Sequence, residues 1–172
     1  DRLATLDPTF AAADLADLTG KLASVEAQIG RLRAELDGSD FTPAAGNPDA
    51  AVQAAILERR RAEYRSRLAS LDEKAGQLDS AIAASRRAQA GLAERLAVVG
   101  EVEDIRRQLQ ERQTGSRLTY LEARIERLRM RDDLTALQDR ERESAHELRG
   151  VQAARAAFVD EWRRKTADEL VE

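Results

Sequence analysis

The 172-residue sequence contains no cysteine, which excludes disulfide bonds and thiolate metal sites. Aromatic residues make up only 3% of the chain, too few for the core of an ordinary globular domain. No apolar run approaches the ~20 residues that a membrane-spanning helix needs, and no secretory signal peptide is recognisable. Charges of both signs are interspersed, with a net charge of -4, so no basic field indicates a nucleic-acid-binding protein.

What the sequence does contain is typical of long helices. Charged residues account for 35% of the chain, and alanine, leucine, arginine, glutamate and glutamine, all strong helix formers, dominate it. Apolar residues recur every three or four positions, a spacing that buries narrow seams between rods rather than a globular core. We therefore predict an all-α fold: a long antiparallel coiled-coil hairpin preceded by an additional helix.

The first predicted helix covers residues 9–37 and follows a short segment, 1–8. Asp7 and Pro8 together form a start signal, an N-cap acceptor before a proline in the first turn, and Gly38 is suited to the C-terminal cap. The seam comprises Leu15, Leu18, Leu22, Val25, Ile29, Leu32 and Leu36. This unbroken heptad pattern predicts a coiled-coil partner.

Residues 38–47 form the predicted connector, because two glycines and a proline occur there among other turn formers. The segment reads either as a plain linker or as a specific break that lets two helices of one arm change register. Phe41 is placed to pack against the adjacent helix. Asn47 and Pro48 repeat the start signal for the next helix.

The coiled-coil hairpin is predicted for residues 48–172, with its tip at 112–117. The ascending helix, to about residue 113, would be roughly 95 Å long at ~1.5 Å per residue. Its seam includes Val52, Ile56, Leu68, Leu71, Ala75, Leu78, Ile82, Leu92, Leu96, Val99, Val102 and Leu109. The descending seam includes Leu118, Leu121, Ile125, Leu128, Leu137, Ala145, Leu148, Val151, Phe158, Trp162 and Leu170. The short turn makes the two helices antiparallel neighbours, which brings Tyr64 close to Trp162.

Residues suited to catalysis are scarce, and we expect no enzyme. His146 is the single histidine, and Glu143 precedes it at the spacing used in di-metal helical bundles. Such a centre needs a second motif and further carboxylates, so the pattern indicates a surface histidine. No phosphate-binding glycine loop and no cofactor site are recognisable. A long rod needs its tip to reach a partner, so the tip is the candidate functional site.

Three stretches resemble a known family. The first 14 residues, DRLATLDPTFAAAD, and the runs ILERRRAEYRSRLASLDEK and GSRLTYLEAR resemble the haemolysin D-like periplasmic adaptors, the membrane fusion proteins of type I secretion systems. In the broader adaptor family the tip carries an arginine, a leucine four residues later and a serine seven residues after that leucine. Leu109 and Ser116 keep the second spacing, whereas Ile105 stands at the arginine position. Arg106 or Arg112 would substitute for it.

The resemblance implies a function for the whole chain. Arg106, Leu109, Arg112, Gly115 and Ser116 would form a docking surface for a TolC-like outer-membrane channel. The segment 1–8 would be the remnant of a link to a lipoyl-like domain, and an inner-membrane ABC transporter would be reached through domains outside this chain. The protein would be the periplasmic part of an inner-membrane-anchored adaptor, assembled as a ring, generally of six protomers.

Several alternatives stay open at this stage. A coiled-coil scaffold or tether without a transport role fits the same periodicity. In the resembling family the descending helix continues beyond the position of Glu172 and pairs with both preceding helices. The chain begins without methionine and ends within a helical pattern, so we expect it to be a piece of a longer protein. The first helix would then continue the arm, fold back on the hairpin or pair with another copy.

Overall fold

The computed structural model of the protein describes residues 8–44 and 46–171. Three helices account for nearly all of them: α1 (Pro8–Asp37), α2 (Pro48–Glu111) and α3 (Arg117–Val171). The described ranges contain no strand, and the predicted all-α hairpin fold with an additional helix is confirmed. Most of the expected linking segment, residues 1–7, lies outside the described residues. None of the three helices is apolar enough over a sufficient length to cross a membrane.

The helix ends around the connector follow from capping chemistry. Gly38 ends α1 with a φ of +68°, a left-handed conformation that glycine adopts without steric cost. Asn47 starts α2, because its side-chain oxygen accepts hydrogen bonds from the backbone N–H groups of Asp49 at 2.9 Å and Ala50 at 3.3 Å. These bonds satisfy donors that the first turn of a helix leaves free.

The chain divides into two compact units. The first, here called the three-helix unit, takes in the chain up to Ala69 and from Arg155 onward. The second, here called the hairpin unit, covers Ser70 to Ala154. Helices α2 and α3 contribute to both units, whereas α1 belongs to the three-helix unit alone.

In the three-helix unit, α1 and α2 run parallel. The Asn47 side-chain nitrogen donates to the carbonyl oxygen of Ala23 at 3.4 Å, and the Arg31 guanidinium donates to Gln53 Oε1 at 2.7 Å. The connector therefore runs back along α1 before α2 begins. Phe41 lies against α1 at Gly30, where a Cβ would stand only 2.9 Å from the ring. Its expected packing against the adjacent helix is confirmed.

Only the second half of α1 is buried against the other helices. Leu32 is almost fully buried and Ala27 and Ala34 lie beside it in the core. The first half of the predicted seam is exposed, with relative exposures between 51% and 66%: Leu15, Leu18, Leu22 and Val25. This half of the predicted seam is exposed because α2 begins level with Ala23 and lies alongside only the second half of α1.

The three-helix unit also contains an aromatic cluster. The Tyr64 ring lies 5.3 Å from the Trp162 ring and 5.5 Å from the Phe158 ring, measured between centroids. This confirms the predicted proximity of Tyr64 and Trp162 and the antiparallel course of α2 and α3 here. The Arg60 guanidinium stands over the Trp162 ring at 5.2 Å, a cation–π contact.

In the hairpin unit, α2 and α3 are antiparallel along their length. Three ion pairs connect them at successive levels: Lys74–Glu147 at 2.9 Å, Arg86–Glu141 at 2.7 Å and Glu103–Arg127 at 3.0 Å. The residues that face the partner helix recur every three or four positions. On α2 they include Ile82, Ser85, Gln89, Leu92, Leu96, Val99, Glu103 and Arg106, and on α3 Ala123, Met130, Leu134, Leu137, Glu141, Leu148 and Val151.

The predicted seam is wrong in the part of the hairpin nearest the turn. Glu103 and Ala123 are buried there, while the expected seam residues remain 38–65% exposed: Val102, Leu109, Leu118, Leu121, Ile125 and Leu128. The apolar stripe of α3 leaves the interface at the six-residue step between Leu128 and Leu134. A step one residue short of a heptad rotates the stripe around the helix, so polar side chains fill the interface beyond it.

Candidate functional site at the hairpin tip

The turn between α2 and α3 is a tightly bonded helix end. The carbonyl oxygen of Leu109 accepts hydrogen bonds from the backbone N–H groups of Thr114 at 2.9 Å and Gly115 at 3.0 Å. The Gln113 N–H donates to the Gln110 carbonyl at 3.0 Å, and Gln113 has a φ of 59°. This is the Schellman pattern of helix C-termini. Its left-handed position, usually glycine, is occupied here by glutamine.

Gly115 allows a close approach of the turn to the end of α2. A Cβ at this position would stand 2.8 Å from Leu109 Cβ and 3.1 Å from the Leu109 carbonyl carbon. Its backbone conformation is not left-handed, so close approach rather than φ requires glycine. The turn folds onto the last residues of α2 only because this side chain is missing.

Ser116 starts α3 as an N-cap. Its hydroxyl accepts a hydrogen bond from the Leu118 N–H at 3.1 Å, and its carbonyl accepts one from the Thr119 hydroxyl at 2.8 Å. The Thr114 hydroxyl adds a bond to the Leu109 carbonyl at 3.1 Å. The predicted tip, residues 112–117, includes Gln113 and Thr114, but the sequence assigned no role to either, because both roles depend on which residue adopts the left-handed conformation.

The five predicted site residues fall into two groups. Leu109, Arg112, Gly115 and Ser116 come together at the turn, where Leu109 is 43% exposed and the side chain of Arg112 lies at the surface. Arg106 lies away from them in the interface of the hairpin unit. Its guanidinium donates to the Thr119 carbonyl at 2.9 Å, so it holds α2 against α3.

Residues 11–172 match the family model described as AprE, long alpha-helical hairpin. The chain belongs to this family. A search of curated proteins gave no significant match.

Among solved structures, this AprE-family hairpin is similar to one described as the soluble domain of LipC, a membrane fusion protein of a type I secretion system. The superposition has a TM-score of 0.87 at 16% sequence identity, and it covers 99% of this chain and 85% of the other. At that identity the similarity establishes a shared fold.

The pair of Glu143 and His146, considered above for metal binding, gains little support from the structure of this AprE-family chain. His146 is exposed on α3 together with Glu143. Within residues 8–44 and 46–171, no three histidine, cysteine, aspartate or glutamate side chains come together to hold a metal ion. The tip itself presents an exposed leucine, an exposed arginine and a turn whose backbone is internally bonded. Such a surface is suited to contact with another protein.

Proposed function

We propose that this AprE-family hairpin is the helical arm of a periplasmic adaptor in a type I secretion system. The family match over residues 11–172 carries the proposal, and the fold shared with the LipC soluble domain supports it. The arm bridges an inner-membrane ABC transporter, reached through domains outside this chain, to a TolC-like outer-membrane channel. The protein lies in the periplasm, anchored in the inner membrane, and works as a ring of copies.

The channel-facing surface is the tip, formed by Leu109, Arg112, Gly115 and Ser116. Leu109 offers exposed apolar surface and Arg112 offers a charge that no other described residue pairs with. The turn is rigid because the Leu109 carbonyl accepts several bonds. One tip is small, so each contact is weak. Repetition around a ring raises the effective concentration of the remaining tips and makes the whole attachment secure. Arg106 supports the surface by fixing α3 to α2.

Export of the cargo in cells tests this proposal. Leu109→Asp and Arg112→Glu should each abolish or strongly reduce secretion, because one places a charge in the apolar contact and the other reverses the exposed charge. Gln108→Asp is the matched control: it introduces the same charge one residue away and should leave secretion intact. Circular dichroism of each purified variant should show unchanged helicity, since Leu109 and Arg112 are exposed. Normal secretion by the combined Leu109→Asp and Ser116→Asp variant would remove the tip from the mechanism.

A further inference from the structure

Two glycines stand on facing helices of the hairpin unit, Gly76 on α2 and Gly150 on α3. Both are exposed, and an added Cβ would meet nothing within 4 Å at either position. Neither has a positive φ. Glycine in a helix interior is less stable than alanine by about 1 kcal/mol, and here neither close packing nor backbone conformation requires it.

Contacts between the helices fix the height of these glycines. The Ser85 hydroxyl and the Gln89 side-chain nitrogen both donate to the Leu137 carbonyl at 3.3 Å, so Leu137 lies level with the turn of α2 between them. Counting equal numbers of residues from this level along the two antiparallel helices brings Gly76 within two residues of Gly150, ~3 Å of rise. Helix α3 contains no other glycine, so no other height combines a glycine of each helix.

A serine adds a second weakness to α2 in the same turn. The Ser80 hydroxyl donates to the Gly76 carbonyl at 2.8 Å. A side-chain hydroxyl that bonds to the carbonyl four residues earlier competes with the helical backbone bond and often bends a helix. Paired glycine and serine residues are one of the recurrent causes of helix kinks. Gly76 and Ser80 therefore combine two features of a bending point.

The packing between α2 and α3 is looser at this height than on either side of it. Ile82, toward the turn, and Val151, away from it, are each only 7% exposed. The Lys74–Glu147 ion pair between them is half-exposed, so it contributes little. The interface side chains between the heights of the two buried residues are only partly buried: Ala75, Leu78, Ala145 and Leu148. A bend at this height therefore disturbs few well-buried contacts.

We infer that the hairpin unit bends at a joint formed by Gly76, Ser80 and Gly150. Two packed helices bend together only where both give way, because a stiff helix holds its neighbour straight. The coincidence of a glycine on each helix at one height meets this condition. The inference goes beyond the adaptor role proposed above and does not rest on it. A joint lets the tip of an arm change direction while the helices on either side stay folded.

Amide hydrogen exchange followed by NMR tests the joint in the unaltered protein. Residues 77–80 and 151–154 should be about tenfold less protected than residues 82–85 of α2, because the joint opens locally. Residues 92–95 provide the matched control, since Gly91 also lies within α2 with nothing within 4 Å of an added Cβ but has no glycine opposite. Protection at 77–80 as high as at 92–95 would overturn the inference.

Coupling between the helices is the sharper test. Gly150→Ala changes only α3, yet it should slow exchange at residues 77–80 of α2 about threefold or more, because α2 opens there only when α3 gives way with it. Gly91→Ala is the control: it gives α2 the same gain in helix propensity as a change at Gly76 and should leave exchange at 77–80 unchanged. If Gly150→Ala slows exchange on α3 alone, the two glycines act independently and the joint does not exist.

Residual dipolar couplings distinguish bending from local opening of the backbone. In a weakly aligned sample, the N–H couplings of residues 62–75 and 77–90 should require two alignment tensors. Gly76→Ala combined with Gly150→Ala should bring them to one tensor. Residues 78–90 and 92–104, on either side of Gly91, should fit one tensor throughout. A single tensor for residues 62–90 of the unaltered protein would overturn the inference.

These outcomes are separate from those that test the proposed function. None of the NMR measurements involves the channel, the transporter or the cargo. Uncoupled exchange together with secretion that depends on Leu109 overturns the joint and leaves the adaptor role standing. Coupled exchange and two tensors together with secretion that ignores the tip support the joint and remove the docking surface.

Discussion

The Arg60 guanidinium donates to the Glu35 carboxylate at 2.9 Å and thereby ties α2 to α1 inside the three-helix unit. Glu35 is almost fully buried and also binds Arg31 at 3.2 Å, while Glu169 of α3 accepts from Arg60 at 2.9 Å. Burial opposes the charged form of Arg60, but the hydrogen bonds to Glu35 and Glu169 outweigh it, so the pKa of Arg60 is raised further above its ordinary value. The guanidinium therefore keeps its charge at neutral pH.

Glu35→Gln should therefore destabilise the three-helix unit by about 3 kcal/mol, since it leaves two arginines facing a neutral amide in a buried place. Asp40→Asn is the control: Asp40 is fully exposed and lies 3.8 Å from Arg61, so its loss should cost less than about 0.5 kcal/mol. Urea unfolding followed by Trp162 fluorescence measures both, because the single tryptophan lies beside Arg60. Equal midpoints for the two variants would contradict the structural role given to this network.

Sequence periodicity predicted the parts of this fold that depend on residues close together in the sequence. The helical hairpin follows from a short polar turn between two long periodic segments, and Tyr64 meets Trp162 because an antiparallel pair grows outward from that turn. Periodicity could not reveal that α1 and α2 run parallel, since the path of the connector depends on tertiary contacts such as Phe41 against Gly30.

The packing of α2 against α3 near the turn is a second feature that the sequence pattern could not predict. Apolar spacing is equally good near the turn and at the interface positions further from it, so hydrophobicity alone assigns Leu121 and Leu137 to one seam. The structure instead buries Glu103 against Arg127. At the tip, the Leu109-to-Ser116 spacing located the turn, but the left-handed position fell on Gln113 and the close approach on Gly115. Which of these neighbouring residues takes each role depends on the local backbone geometry, which the spacing does not specify.

Opposite effects are expected from two substitutions in the turn. Gly115→Ala should destabilise the hairpin unit by about 1–3 kcal/mol, because its Cβ would overlap Leu109. Gln113→Gly should stabilise it by up to about 1 kcal/mol, because glycine adopts the left-handed conformation without steric cost. Urea melts followed by circular dichroism measure both changes.

Gly76→Ala provides the control for the turn variants. Gly76 lies within α2, and nothing would come within 4 Å of an added Cβ. Alanine there should stabilise the helix by about 1 kcal/mol. A Gly115→Ala variant as stable as Gly76→Ala would contradict the close approach described at the tip.

The pKa of Glu141 provides a test by titration. Hydrogen bonds from Arg86 and Gln89 hold the pKa of this carboxyl below its ordinary value of 4.5. A lowered folded-state pKa means that the stabilising contribution is complete above the ordinary value and is lost as the pH falls through the folded pKa. Arg86→Met should raise the pKa of Glu141 toward the ordinary value and reduce the loss of stability on acidification. NMR titration of the Glu141 side chain in the two proteins measures the shift, and an unchanged value would exclude Arg86 as its cause.

Two isoleucines of α2 provide a matched comparison for the position of the seam. Ile82 is only 7% exposed, whereas Ile105 is 57% exposed. Ile82→Ala removes buried methyl groups and leaves a cavity between the helices, which should cost about 2–4 kcal/mol. Ile105→Ala removes the same atoms from a surface and should cost less than about 1 kcal/mol. Equal losses in urea melts would show that Ile105 is also part of the interface between α2 and α3.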